Sequence, residues 1–441
     1  MIDKYNVHIL NPQGKVKVVF VKSTKEEIPK SVYNGTRTVI ELLLEHDPNF
    51  RNFAQQLDGK TVLVKPNLTK HPPTYSPHNK MTTDPFAVKS VVDWLLEGGV
   101  EKVYIGECNS WGTEIAYKLC GYYDVFSDDK YKDKVIIVDL RTRKENEIDY
   151  ISYEVKGDVL RDEDIAYIKG YIQARHATLL KFKRSKRVDL ELALSTKFGF
   201  NKLLKEIDML VNVAKLKTQV QTVASLSVKN LFGLLEPVKA KHAKHLGLDP
   251  VQEDISRREL IISYVNLSRS LASFAAAVSS LGFPILHLVE GGIAMEGNGP
   301  LEHGIERVDN FMAGVWKNAA TLDAVITTEY MQFKYEDKPY IPYHVALASH
   351  NGLGSINPDD ISLILAHDSK VPSSVRDLNS KPFKPPTTVE LKCTPTYKPG
   401  ETLLDVLEKC AESFRGEGID PDEPVTVIEE KTTPEVVLKE F

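Results

Sequence analysis

A chain of 441 residues, 42% hydrophobic and 27% charged, has enough apolar surface for two or three domains, or for one large domain with an appendage. Its net charge of −5 excludes a global pull toward nucleic acid or an anionic membrane, so each basic cluster is weighed singly. No run of side chains reads as the roughly 20 apolar residues of a membrane span, and the opening MIDKYNVHILNPQGK lacks the apolar core of a secretion signal.

Four cysteines, Cys108, Cys120, Cys393 and Cys410, stand far apart without CxxC spacing. That pattern argues against a disulfide framework, a zinc ribbon or a self-contained iron–sulfur site, so no iron–sulfur cluster is expected. The expected setting is the cytoplasm, with no membrane partner. The triplets at Asn34, Asn67 and Asn266 then carry no glycosylation meaning.

Residues 1–60 are expected to pack on a core that begins at the next segment. TVLVKPNL, Thr61 to Leu68, is a continuous apolar and β-branched run, the mark of a strand buried on both faces. In TTDPFAVKSVVDWLLEGG, Asp84 can cap a helix, Pro85 suits its first turn and Gly98–Gly99 stop it, with Val88, Val91, Val92 and Leu95 on one stripe. VEKVYIGE, Val100 to Glu107, is a second strand. The unit is β-α-β, with a right-handed crossover and parallel strands.

Further on, Asp139 to Ile207 reads as an insertion: KFKRSKR, Lys181 to Arg187, beside alternating VDLELALS suggests a basic hairpin or small subdomain. Asp208 to Thr218 is a third strand, turning from apolar to basic at its end. Glu259 to Gly282 is helical, with small residues that permit close packing. FPILHLVEGGIAMEGNGP, Phe283 to Pro300, is a fourth strand leading into a glycine-rich loop. The core, 61–367, closes with ISLILAH. Residues 368–388 are rich in Pro, Ser and Lys and read as a linker, and 389–441 as a small α/β appendage. The expected fold class is α/β, a mostly parallel sheet flanked by helices.

Ligands of open parallel sheets bind outside the carboxyl ends of the strands. Lys65 and Asn67, then Glu107 and Asn109, then Lys215, Lys217 and Thr218, then Glu290 with Glu296 and Asn298, fall at four such ends. They are expected to meet in one hollow with a positive interior. Lys229 and Asn230 sit in the apolar run SLSVKNLFGLLEP. A buried lysine needs a carboxylate neighbour or an anionic ligand, although a snorkelling helix lysine explains the spacing equally well.

With Lys65, Lys215 and Lys217, Lys229 suggests a cradle for phosphate or carboxylate, to which the glycine loop could add N–H donors. His242 and His245, three apart among lysines, are weak candidates for a divalent metal with Glu290 or Glu296. A solvated basic helix is the plainer account of His242. Glu290 and Glu296 could pair as acid and base, or simply partner the lysines. No P-loop, dinucleotide fingerprint, HExxH or GxSxG occurs. KFKRSKR lacks the stacking aromatics of a nucleic-acid site.

Taken in order, VLVKPNL, TTDPFAVKSVVDWLLEGGVEKVYIGE, VNVAKLKT, SVKNLFGL, LHLVEGGIAMEGNGP and HVALASHNGLGSINPDDISLI resemble the domain-of-unknown-function family 362 over most of residues 61–366. The resemblance implies a prokaryotic type of α/β domain and brings no reaction. Some members carry a ferredoxin-like cysteine cluster that this chain lacks. The family pattern has aspartate where this chain has Glu107, and again near Asn266. A shorter stretch, VKNLFGLLEP with a histidine beyond, is similar to a segment of the nickel-pincer lactate racemase family. That similarity implies a cofactor-holding lysine at Lys229 and a ligating or proton-shuttling histidine at His245.

The leading expectation is an enzyme for a small phosphorylated or carboxylated molecule. Lys65, Lys215, Lys217 and Lys229 would bind its charge; Asn67, Asn109, Thr218, Asn230 and Asn298 would orient it; Glu107, His245, Glu290 and Glu296 would serve as acid–base or metal groups. The rivals are a metal- or cofactor-dependent racemase-like enzyme and a non-catalytic assembly protein working through KFKRSKR. A homo-oligomer is among the candidate assemblies.

Overall fold

The computed structural model describes residues 2–110, 112–142, 145–156, 160–181, 188–246, 248, 255–300, 303–335, 337–379, 381–386 and 402–425. Ten strands form one large sheet: β1 (Asn6–Leu10), β2 (Val16–Lys22), β3 (Thr61–Lys65), β4 (Lys102–Glu107), β5 (Val135–Asp139), β6 (Met209–Gln219), β7 (Val223–Ser225), β8 (Ile285–Gly297), β9 (Gly304–Trp316) and β10 (Ile361–His367). Their order is β1-β10-β2-β9-β8-β6-β3-β4-β5, with β7 folded back on β6. The run β8-β6-β3-β4-β5 is parallel throughout, as is β10 beside β2. The α/β class and mixed, mostly parallel sheet are those expected from the strand patterns.

Alternation along the strands feeds two layers. Val62 and Val64 of β3 pack with helices Ile28–His46 and Pro85–Glu97, whereas Leu63 joins the opposite layer around helix Arg257–Ser279. Helix Pro85–Glu97 starts where the sequence places it: the Asp84 side chain accepts from Phe86 N, and Gly98 closes it. Residues 1–60, expected to pack on the core, supply two strands of the sheet and helix Ile28–His46. Helix Arg257–Ser279 is long and apolar enough to cross a membrane, contrary to the first reading of composition, yet almost all of it is buried inside the fold.

Three segments depart from expectation. The glycine-rich loop after Glu290 is strand: β8 continues through a bulge to Gly297 and pairs antiparallel with β9. A Cβ on Gly291 would lie 2.7 Å from Leu216 Cδ2, and one on Gly292 would clash with Val32. These glycines therefore admit close neighbours inside a strand rather than loosening a loop.

The insertion is not a hairpin around the basic stretch. Helix Asp162–Lys181 precedes it, and VDLELALS turns as helix Leu190–Leu194, capped by the Asp189 side chain on Leu192 N. Five residues of alternation were too few to tell strand from a capped helical turn. Basic residues 182–187 lie outside the described residues. The strands nearby, Ile148–Ser152 and Lys197–Asn201, form a small antiparallel sheet with Leu235–Glu236.

Past β10 the chain stays packed. Val375, Leu378 and Phe383 bury against the sheet, and the Arg307 guanidinium lies 4.3 Å over the Phe383 ring. The terminal helix Leu403–Gly416 sets Val406, Leu407, Cys410 and Phe414 into the cluster around helix Arg257–Ser279. Pro424–Val425 pairs with Ile255–Ser256, while VELKC lies outside the described residues. Cys410 is disulfide-bonded, which the spacing of the cysteines did not suggest. Cys108 and Cys120 are buried free thiols.

Candidate functional site

Parallel pairing brings the carboxyl ends of β3, β4, β6 and the first half of β8 to one edge of the sheet, with Lys65 in register with Asn212 and Lys215 with Glu290. Short helix Ser227–Leu231 lies over this edge. Its first N–H groups, on Ser227 and Val228, are held by the Asp323 carboxylate at 2.9 and 2.8 Å. That cap comes from 96 residues away and fixes how Lys229 and Asn230 are presented.

The lysines part into two kinds. Lys65, fully buried, donates to Glu107 Oε2 at 2.7 Å, Pro66 O at 2.9 Å and Asn230 Oδ1 at 3.3 Å. Three acceptors exhaust an ammonium. Lys215 donates to both oxygens of Glu290, at 2.9 and 3.2 Å. Glu107 also accepts from Leu68 N and Cys108 N, and Glu290 from Asp84 N and Gly292 N.

These ion pairs fill the space that sequence reading left for a ligand. Burial holds the Lys65 ammonium below its usual range despite Glu107, and pushes the Glu290 carboxyl up despite Lys215. Gly233 belongs to this packing, because a Cβ there would overlap Glu107 Oε1 and Lys65 Nζ. Gly233→Ala is expected to cost about 1–3 kcal/mol by overpacking, read as a lowered urea midpoint. An unchanged midpoint would mean that the pair gives way freely.

Among the described residues Lys217 and Lys229 have no carboxylate against them. Lys217 donates to Asn67 Oδ1 at 2.6 Å and Met81 O at 2.8 Å. Asn67 in turn donates to Asn230 Oδ1, and Asn230 to Asn212 Oδ1, a row of amides that fixes the edge. Partly buried Lys229 donates to Thr222 Oγ1 at 3.0 Å. Burial, then the charge of Lys215, lowers Lys217 to about 7; burial, then the charge of Lys217, drives Lys229 well below its usual value.

Two histidines feel the Lys229 charge. His245 Nδ1 lies 2.9 Å from Gln221 Oε1, whose amide nitrogen is committed to Leu248 O at 3.0 Å. His245 therefore carries its proton on Nδ1 and keeps a lone pair on Nε2. His344, on helix Tyr343–His350, is completely buried, and neither ring nitrogen has a partner among the described residues. Burial and Lys229 push both imidazoles down to about 3. His287 is lowered to about 3 by burial alone and accepts from Asn212 through Nδ1.

The remaining candidates lie elsewhere or serve the scaffold. Glu296 does not pair with Glu290: it holds Arg307 and Lys384 N, and lines an open groove of about 530 Å³ with Lys22, Asp309 and Asn379. Neither that groove nor the surface hollow beside Leu204 and Phe283 is lined by Lys229. Asn109 donates to Leu68 O, and Thr218 donates to Met295 O at 3.4 Å. Asn298 follows β8, partly buried.

His242 is exposed on helix Val238–Lys244. Among the described residues no three His, Cys, Asp or Glu side chains gather as a metal-ligand set. Sequence reading passed over His344 and Asp323 because each sits in an apolar helical run, HVALA and AATLDAV, where a polar side chain gives no periodic signal.

A mixed α/β sheet with helices on both faces and buried basic groups at its carboxyl edge defines the class of this protein. The chain belongs to the family described as domain of unknown function (DUF362), whose model matches residues 62–167 and 158–328. Among solved structures it is similar to a protein from Thermotoga maritima, a structural genomics target, at 12% identity and a TM-score of 0.30. The match covers 62% of this chain and 53% of that one, so this chain spans about half of that neighbour's length. No curated protein matches the chain.

Proposed function

We propose that this protein is an enzyme binding a small carboxylated or phosphorylated molecule at Lys229, with Lys217, Thr222, His245 and His344 around the ligand. One observation carries the reading: among the described residues Lys217, Lys229, His245 and His344 have no carboxylate in contact, Glu107 acting on Lys217 only through its charge, while Lys65 and Lys215 nearby each hold one directly. An unpaired set that burial keeps neutral is completed by an anion, which would favour the protonated form of each. The two imidazoles, neutral at physiological pH, suit proton transfer to and from the bound molecule. The racemase-like use of Lys229 and His245 falls within this proposal.

The test is calorimetry with phosphate, acetate and lactate at pH 7.5, in two buffers of different ionisation enthalpy. Binding is expected to draw in protons, and Lys229→Met to weaken it at least tenfold, about 1.4 kcal/mol. No heat and no thermal shift with any of the anions, or equal affinity and proton uptake in the variant, would overturn the proposal.

A further inference from the structure

We propose that the molecule held at this site is a 2-oxo acid and that Lys229 captures its carbonyl carbon as an imine, an inference that rests on the anion-site reading above. The geometry of the amine is the first ground. Thr222 donates its own hydroxyl proton to Gln219 Oε1 at 2.8 Å, so at Lys229 it acts as acceptor, taking one N–H at 3.0 Å. The nitrogen lone pair is left uncommitted. Among the described residues no carboxylate is in contact with the amine, and the charge acting on it, that of Lys217, repels a proton. A desolvated lysine beside another cation is the arrangement that makes a side-chain amine a nucleophile at neutral pH.

His344 is the second and independent ground. An imidazole buried completely, with both nitrogens unpartnered among the described residues, leaves two polar groups unmet in the folded chain. Such a group, whose ring feels the charge of Lys229, points to a ligand that supplies its hydrogen bonds. His245 adds a ring nitrogen with a lone pair, its tautomer fixed by Gln221. Lys217, as an ammonium, has three N–H bonds and spends two on Asn67 and Met81, leaving one for a carboxylate. An oxo acid matches all of these groups: its carboxylate meets Lys217, its carbonyl carbon meets Lys229, and its oxygen meets an imidazole.

The step balances with protein groups alone. The Lys229 nitrogen adds to the carbonyl carbon, and one of its protons passes to the former carbonyl oxygen, giving a carbinolamine. An imidazole protonated when the anion binds gives its proton to that hydroxyl, which leaves as water. The product is a protonated imine, and the neutral imidazole can accept its N–H proton. Lys65 and Lys215 are unsuited to this chemistry, because each is locked to a carboxylate.

The experiment incubates the full chain with pyruvate, adds borohydride as hydride donor, and reads the intact mass and modified peptide. The expected result is one reduced pyruvate adduct on Lys229, absent from Lys229→Met and Lys229→Arg, whose circular dichroism checks that they fold. In parallel, lactate, which has no carbonyl, is titrated by calorimetry. Lactate and pyruvate binding with proton uptake but no adduct would overturn the imine and leave the anion site standing. No binding of either acid would overturn both. An adduct on Lys217 or on other lysines, or one persisting in the Lys229 variants, would also overturn the assignment to Lys229.

Discussion

Lys229→Met is expected to raise the unfolding free energy near neutral pH by about 1–3 kcal/mol, while removing ligand binding. The sign follows from linkage. The folded-state pKa of Lys229 lies well below the 10.5 of an ordinary lysine, so between the two values the unfolded chain binds the extra proton. Stability therefore rises as pH rises toward 10.5 and falls as pH falls below it, by about 1.4 kcal/mol per pH unit for one such proton.

Methionine fills a similar volume and carries no proton, so this slope disappears from the variant. Lys217 and Lys244, each lowered to about 7, keep their own contributions in both proteins. The quantity to compare is thus the difference between wild type and variant in urea unfolding at pH 7, 8 and 9. The gain from the substitution should shrink as pH increases. Parallel curves would mean that Lys229 is protonated in the folded chain, and that an internal anionic partner holds it. A residue whose removal strengthens the fold and abolishes binding is one kept for its chemistry.

Much of this edge was legible in the sequence, because buried parallel strands announce themselves as unbroken apolar runs and the polar residue that ends each run is easy to see. Lys65, Glu107, Lys215 and Glu290 were found in that way. What the sequence could not say was which cation is neutralised by which carboxylate. Lys65 meets Glu107 across 42 residues and Asn230 across 165; Lys215 meets Glu290 across 75. Those partners follow from strand order, which no local pattern encodes.

The bulge in β8 was read as a loop since glycine marks flexibility and close approach with the same letter. His344 was missed for a related reason: a lone histidine in an apolar helix looks like core. Only the lack of any partner for its ring nitrogens, a property of the folded chain, sets it apart.

The Glu107–Lys65 pair should behave as scaffold, and a double-mutant cycle separates that role from ligand binding. Glu107→Gln keeps the shape and removes the charge. Breaking one side of a buried pair costs about 3–5 kcal/mol, because the other charge is left without compensation. Lys65 has a partial escape, since burial and the nearby charge of Lys241 already lower its pKa. Without Glu107 it should shed its proton, so the loss should be smaller at pH 9 than at pH 7.

In Lys65→Met/Glu107→Gln neither charge of the pair remains. The two substitutions should then cost less together than their sum, with a coupling of about 2 kcal/mol or more. Full recovery is not expected, because Leu68 N and Cys108 N both rely on the Glu107 oxygens, and glutamine offers one acceptor in place of two. The decisive comparison is with ligand. If Lys65 only props the edge that carries Lys217 and Lys229, the double variant should bind phosphate or lactate within a few-fold of wild type wherever it is folded. Additive costs would show that the pair is not an energetic unit, and loss of anion binding in the stable double variant would return Lys65 to the list of ligand-binding residues.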